Sequence, residues 1–263
     1  MTLGDQFFTD GSAYEKLMGR WSRRVGEIFL QWIEIPQNLS WIDVGCGTGV
    51  FTEEIIKHCG PAAVTAIDPS EGQLAFAKSR PVLEKVKFHV GDAESLPFED
   101  NSFDVAIMAL VIHFVNNPVQ AISETARVVR SDGWAASYVW DYSKGGSPTA
   151  PLVAALKGLG VQFPGPPSAN ETSLPALLKL WRGAGLKEVE TLVINIPVEF
   201  ADFDEFWGSI SAPVGPAGKA IAEMRPEVLD QLRTLLQKQV PIQKDGRVVY
   251  QACANAIKGC VKK

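Results

Sequence analysis

Histidine and cysteine are both scarce in this chain, at three and four copies in 263 residues. The cysteines, Cys46, Cys59, Cys253 and Cys260, include no C-x-x-C pair. With so few histidines beside them they offer no zinc-ligand spacing, and no metal is expected. Scattered thiols of this kind read as reduced, which gives a cytoplasmic location as the expectation. No run of ~18 apolar residues is present, so no membrane span is expected. The opening Met1-Thr2-Leu3-Gly4-Asp5-Gln6 lacks the basic and apolar segments of a secretion signal. A basic surplus is also missing: 25 Lys and Arg stand against 30 Asp and Glu, a net charge of -5. Beyond Arg20–Arg24 and Lys262-Lys263 there is no basic run, and nucleic acid is not expected as a partner.

What is present is an ordinary globular composition, 46% apolar and 21% charged. The length allows one or two domains at about 150 residues each, enough for a core without disulfides.

Short apolar runs alternate with helical patterns. Val25, Ile28, Phe29, Trp32 and Ile33 repeat at helical spacing within the first 35 residues, and Pro36 follows. Leu39–Val44 reads as a strand, and Phe51, Ile55, Ile56 and Cys59 share a helix face that Gly60-Pro61 stops. Ala63–Ile67 is a second strand ending at Asp68. Ser70-Glu71-Gly72-Gln73 has the spacing of a capping box. Val86–Val90 and Phe103–Ala109 read as further strands. Asn117-Pro118 reads as an N-cap with proline in the first turn of a helix running to about Arg130, and Gly133 opens the strand Trp134–Trp140. This alternation predicts βαβ units and a mostly parallel sheet covered on both faces.

After Trp140 the texture changes. Asp141–Thr172 is rich in Gly and Pro, with a short helix expected at Leu152–Leu159. Ser173–Gly183 reads as a helix, Val189–Ile196 as a strand, Asp202–Val240 as largely helical, and Arg247–Ile257 as the last strand.

The densest chemical signal is Asp43-Val44-Gly45-Cys46-Gly47-Thr48-Gly49, between a strand and a helix. Alternate glycines let the backbone turn tightly and approach a ligand with no Cβ in the way. A dinucleotide fingerprint needs G-x-G-x-x-G, and position 50 is Val, which disfavours a nicotinamide dehydrogenase. Asp43, just before the turn, suits a cationic ligand better than a pyrophosphate.

The segment resembles the first motif of class I S-adenosylmethionine-dependent methyltransferases. Later stations follow in the family's order: Asp68, then Gly91-Asp92-Ala93-Glu94-Ser95-Leu96-Pro97-Phe98, then Phe103-Asp104-Val105-Ala106-Ile107, then Arg127–Gly133. The usual Pro-Gly-Gly is here Ser131-Asp132-Gly133. The resemblance covers about residues 39–140 and is strongest to the ubiquinone/menaquinone-biosynthesis-like group, methyltransferase type 11. It implies that Asp43, Gly45, Cys46, Gly47, Gly49, Asp68, Pro69, Asp92, Ala93 and Ala109 bind S-adenosyl-L-methionine, with S-adenosyl-L-homocysteine as product. Within that reading Asp68 either holds the ribose or caps the following helix. Asp92 either holds the adenine or is a loop carboxylate in a turn.

The resemblance further implies that the N-terminal segment, with Tyr14, Arg20 and Trp21, folds over the donor. Arg20 either pairs with the methionyl carboxylate or is an exposed arginine. His113, just after the fourth strand, is either a base toward the acceptor or a polar residue of the cleft. Trp140, Asp141 and Tyr142 are candidates for the acceptor pocket. Trp207, in the stripe Phe203, Phe206, Trp207, belongs either to that pocket or to the core. The fold expected is α/β, a Rossmann-like, doubly wound sheet of seven strands with the last antiparallel. Residues 1–36 are expected as a helical cover, 37–199 with 246–263 as the methyltransferase domain, and 200–245 as a helical lid over the acceptor site. The activity expected is methyl transfer to a small molecule, at oxygen or carbon. A non-catalytic S-adenosylmethionine-binding protein is the alternative.

Overall fold

The computed structural model describes residues 15–262, with the backbone alone at 16 and 17. A seven-stranded sheet runs through it in the order β3-β2-β1-β4-β5-β7-β6. The strands are β1 (Ser40–Val44), β2 (Ala63–Asp68), β3 (Lys87–Val90), β4 (Phe103–Ala109), β5 (Val129–Trp140), β6 (Lys187–Phe200) and β7 (Val248–Cys260). The first five pair in parallel, and β7 lies antiparallel between β5 and β6. Both the fold class and the reversed last strand are as expected.

The helices are α1 (Arg20–Ile33), α2 (Val50–Cys59), α3 (Glu71–Lys78), α4 (Pro118–Val128), α5 (Ala150–Gly158), α6 (Leu174–Gly183), α7 (Phe203–Ile210), α8 (Gly215–Ala222) and α9 (Pro226–Gln239), with a π-helical turn at Glu15–Gly19 before α1. Side chains alternate across a strand, so each central strand feeds two cores. Trp41, Val105, Ile107 and Tyr138 point to one face, where α1, α2 and α3 bury Phe29, Ile55 and Leu74. Ile42, Ala106, Met108 and Val139 point to the other, where α4 and α6 bury Ile122 and Trp181. Burial on both faces explains why these strands are continuous apolar runs.

Several boundaries differ from the sequence reading. Helix α1 stops at Ile33, before Pro36, because Glu34 turns left-handed at φ 49°. Strand β5 starts at Val129, not at Gly133 or Trp134. A register shift between Phe103 and Val105 absorbs the extra residues. Gly133 sits there with no room for a Cβ, which would lie 2.5 Å from the Asp104 carbonyl oxygen. Strands β6 and β7 are longer than expected, because each pairs with the other from Phe200–Val248 to Lys187–Cys260.

The segment 200–245 folds as three helices. Phe203 and Phe206 of α7 pack beside Phe200 and Tyr250 of the β6–β7 pair, and α9 packs on α5. No helix among the described residues is long and apolar enough to cross a membrane.

One side chain sets the loop after β3. Arg127 of α4 donates through Nη1 to the Phe98 carbonyl at 2.8 Å and through Nη2 to the Leu96 carbonyl at 3.0 Å. Glu124 aligns it through Nε at 2.7 Å and accepts from the Leu96 N–H at 2.9 Å. Hydrogen bonds from a charged donor of this kind carry roughly 1.5–3 kcal/mol each. Arg127→Met should therefore lower unfolding stability by about 2 kcal/mol, read as a lower urea midpoint at unchanged slope. An unshifted midpoint would show that the loop is held without it.

Candidate functional site

A cavity opens at the carboxyl ends of β1, β2 and β4, the edge where sheets of this kind bind ligands. The turn after β1 forms its floor. Gly45, Gly47 and Gly49 all have positive φ, at 76°, 54° and 77°, which side chains other than glycine's adopt only with strain. Gly45 and Gly47 line the cavity, as do Cys46 and Thr48. Gly49 does not. A Cβ there would lie 2.5 Å from Leu83 and 3.2 Å from Ala77, so this glycine serves the packing of α2 against the α3 region.

Asp68 ends β2 on the wall. One carboxylate oxygen accepts from the Gly47 N–H at 2.8 Å, the other from the Ser70 N–H at 2.9 Å. The helix cap itself is Ser70, whose Oγ accepts from the Gln73 N–H at 3.4 Å. Pro69, Ser70 and Gln73 continue the wall.

Asp92 and Ala93 lie further along it. Asp92 accepts from the Glu94 N–H at 2.8 Å, so its carboxylate is both a turn-former and a wall group. Glu94 bridges to the next loop, accepting from the Asn116 and Asn117 N–H groups at 2.7 and 2.9 Å. Ala109 to Val111, Phe114 to Asn116 and Tyr138 complete that side.

Asp43 lies behind the wall. It is fully buried, and its Oδ2 accepts from the Thr52 hydroxyl at 2.6 Å while Oδ1 has no partner. Burial pushes its carboxyl up to about 7; the Thr52 hydrogen bond opposes this and the Asp68 charge adds to it.

The N-terminal cover approaches from above. Glu15, Gly19, Ser22 and Arg23 line the cavity, with Phe51 and Glu54 of α2 facing them. Arg20 does not line it: the guanidinium pairs with Glu205 at 3.3 Å and lies 4.1 Å over Trp21 and 4.5 Å over Phe200. Arg23, one turn further on, is the only basic side chain on the wall among the described residues. It pairs with Glu54 at 3.3 Å and Glu15 at 3.7 Å. Tyr14 lies outside the described residues.

The acceptor candidates are placed elsewhere. His113 is buried off the wall, its ring packed on Phe114 and Tyr142 with centroids 3.9 and 4.9 Å away, and its Nδ1 has no partner. Burial lowers its pKa to about 3, so it is neutral near pH 7 and too weak a base for that pH. Trp140 is fully buried in the core, Tyr142 sits against His113, and Trp207, on α7 itself, packs against the core. None of the three lines the cavity, and neither does any residue of 200–245. These helices pack on the β6–β7 pair and α5, and α7 also touches the Glu15–Gly19 turn.

Sequence reasoning missed Ser22, Arg23, Phe51, Gln73, Phe114 and Tyr138. Two signals were available: Arg23 shares a helix face with Arg20, and Gln73 is the fourth residue of the capping box. Glu27, Glu54 and His58 bring possible metal-ligand atoms within 4.8 Å of one another. Glu54 is already paired there with Arg23 and Lys57.

Comparison with known proteins supplies the context. Residues 42–137 match the family described as "Methyltransferase domain". A 2-methyl-6-phytyl-1,4-hydroquinone methyltransferase of Spinacia oleracea is 36% identical over 116 residues, covering 44% of this chain and 34% of that protein. A demethylmenaquinone methyltransferase of Staphylococcus aureus is 36% identical over 115 residues, covering 43% of this chain and 46% of that one. The chain thus spans less than half the length of these curated relatives. The solved structure of the YcgJ protein from Bacillus subtilis shares the fold, with a TM-score of 0.62 at 20% identity over 91% of this chain and 99% of that one.

The buried carboxyl of Asp43 makes a pH test possible. Its ordinary value is 3.8 and its folded value about 7, so the folded state binds the extra proton between them. Its stabilising contribution is present below about pH 4 and is lost as pH rises toward 7. Asp43→Asn cannot titrate, so its stability relative to wild type should rise between pH near 5 and pH near 8 in urea unfolding. A relative stability that is flat or falls over that range would show that Asp43 is ionised throughout.

Proposed function

We propose that this chain, whose residues 42–137 belong to the methyltransferase domain family, transfers a methyl group from S-adenosyl-L-methionine to a small-molecule acceptor. The observation that carries the reading is one continuous wall in which the Gly45–Thr48 turn, Asp68 and Asp92-Ala93 follow one another.

The residues present fit the donor. The positive-φ glycines leave backbone, not side chain, at the cavity floor. Asp68 stands at the strand end on the cavity wall, held by two backbone N–H groups, and its carboxylate would accept from ribose hydroxyls there. Asp92 and Ala93 would flank the adenine. Arg23, not Arg20, would hold the methionyl carboxylate.

The bound donor supplies a methyl carbon on a sulfonium, reactive enough that the protein's task is mainly alignment. Holding the acceptor in line supplies roughly 7–11 kcal/mol. Val111, Phe114, Val115 and Phe51 form an apolar wall beside the turn, which excludes water, and Ser22, whose buried hydroxyl has no partner, is one polar group that would orient an acceptor. No histidine lies on this wall among the described residues, so we assign no general base. Glu15 and Glu54 are paired with Arg23 and do not stand free to receive an ammonium. The names of the two curated relatives, which methylate small organic molecules, support a small-molecule acceptor.

Asp68 gives the test. S-adenosylhomocysteine should raise the melting temperature of the wild type, since a ligand of the folded state stabilises it by mass action, and NAD should not. Asp68→Ala should weaken S-adenosylmethionine by at least ~10-fold in calorimetry. A donor analogue lacking both ribose hydroxyls separates the two roles of this carboxylate. Wild type should lose affinity for the analogue, and Asp68→Ala should bind analogue and parent almost equally. A mutant that still discriminates as wild type does would mean that Asp68 only braces the turn.

A further inference from the structure

Arg80 belongs to none of the motifs and does not line the cavity. It follows α3, and Pro81 after it holds its backbone extended, at φ -83° and ψ 117°. From there the guanidinium reaches two elements distant in sequence. Nη1 donates to both carboxylate oxygens of Glu15 at 3.3 Å, and Nη2 pairs with Glu53 of α2. Lys57 also pairs with Glu53, at 2.6 Å. The Arg80–Glu53 pair is partly shielded, at 16% and 14% side-chain exposure, and Glu15 is the more open partner.

Glu15 links this pair to the cavity. It lines the wall, and its second partner is Arg23, the wall's basic group. From Val25 onward α1 is anchored by Val25, Phe29 and Ile33, and Met18 and Trp21 carry the same core into the turn Glu15–Gly19 and the start of α1. Beside that apolar anchor, the Glu15 carboxylate is tied to α2 by way of Arg80.

We propose that Arg80 is a positioning residue for the donor: through Glu15 it holds the N-terminal turn, and with it Arg23, closed over the cavity. This rests on the donor reading above. A planar fork meets two carboxylates through separate nitrogens held in a fixed geometry, whereas a lysine's ammonium is a single point that must reach both at once. Arg80→Lys should therefore rescue only in part.

The test follows release of S-adenosylhomocysteine by stopped-flow tryptophan fluorescence and, in the ligand-free proteins, amide hydrogen exchange at residues 15–24. Arg80→Gln should release ligand about fivefold faster than wild type, with Arg80→Lys in between. Exchange at 15–24 should be faster in Arg80→Gln, with β1 and β4 amides unchanged. Salt at about 0.5 M should speed release from wild type and scarcely affect Arg80→Gln, because the restraint is ionic. Unchanged exchange at 15–24 overturns the proposal, with or without ligand. Faster exchange with unchanged release overturns the link to the donor. A wild type that binds no S-adenosylhomocysteine overturns the donor reading instead, and exchange then decides the restraint separately.

Discussion

The carboxylate of Asp68 joins the two loops on which the cavity is built. It accepts from Gly47 on the turn after β1 and from Ser70 at the start of α3. The same turn is held a second time, by the Gly45 and Cys46 N–H groups, which donate to the Ile67 carbonyl at 2.7 and 3.1 Å. Three left-handed glycines cost the chain more conformational entropy on folding than other residues would. A turn so costly persists because its N–H groups are satisfied by the neighbouring strand end. The parallel β1–β2 register sets that strand end beside the turn, with Val44 opposite Ile67. Sheet order, turn and site are thus one arrangement.

The cover is held by two kinds of force. Behind Val25, α1 is fixed by apolar burial against α2 and the sheet, where Phe29 packs on Phe51 and Tyr138. Ahead of it Met18 and Trp21 are still buried, and ion pairs joining Glu15, Arg23, Glu54, Arg80 and Glu53 are added. Partly exposed ion pairs are screened by salt. The end of the cover nearest the cavity therefore adds an adjustable force to the apolar one.

What was legible in the sequence depended on how local its cause was. The glycine turn was legible because only glycine meets its backbone demand, and the Asn117-Pro118 start of α4 because the Asn117 side chain accepts from Gln120, three residues on, at 3.1 Å. Asp68 was legible from its place at a strand end. The choice between Arg20 and Arg23 was not: it depends on Glu205 and Phe200, far along the chain, which draw Arg20 away from the cavity. His113 followed the right strand, but the segment around Tyr142 and Ser168 closes over it, the Ser168 N–H donating to its carbonyl at 3.1 Å. Trp140 and Trp207 were drawn into the packing around the β6–β7 pair and α7. Composition could not separate pocket aromatics from core ones. For 200–245 the apolar faces were visible in the sequence and their partners were not.

The charges on the wall suit the proposed chemistry in one further way. Five carboxylates, Glu15, Glu54, Asp68, Asp92 and Glu94, face the cavity against one arginine. Each is fixed by a partner: Asp68, Asp92 and Glu94 by backbone N–H groups, Glu15 and Glu54 by cations. The backbone-bound three lie along the strand ends, while Glu15 and Glu54 gather around Arg23. The field is therefore negative along the strand ends and relieved at the cover. A donor carrying a sulfonium and a carboxylate would be oriented by such a field, cation toward the strand ends and anion toward Arg23. Methyl transfer would remove the sulfonium charge, and the attraction along the strand ends would fall with it. Carboxylates held before a donor arrives need no reorganisation to bind it, and the same fixed charges would hold a neutral thioether less firmly.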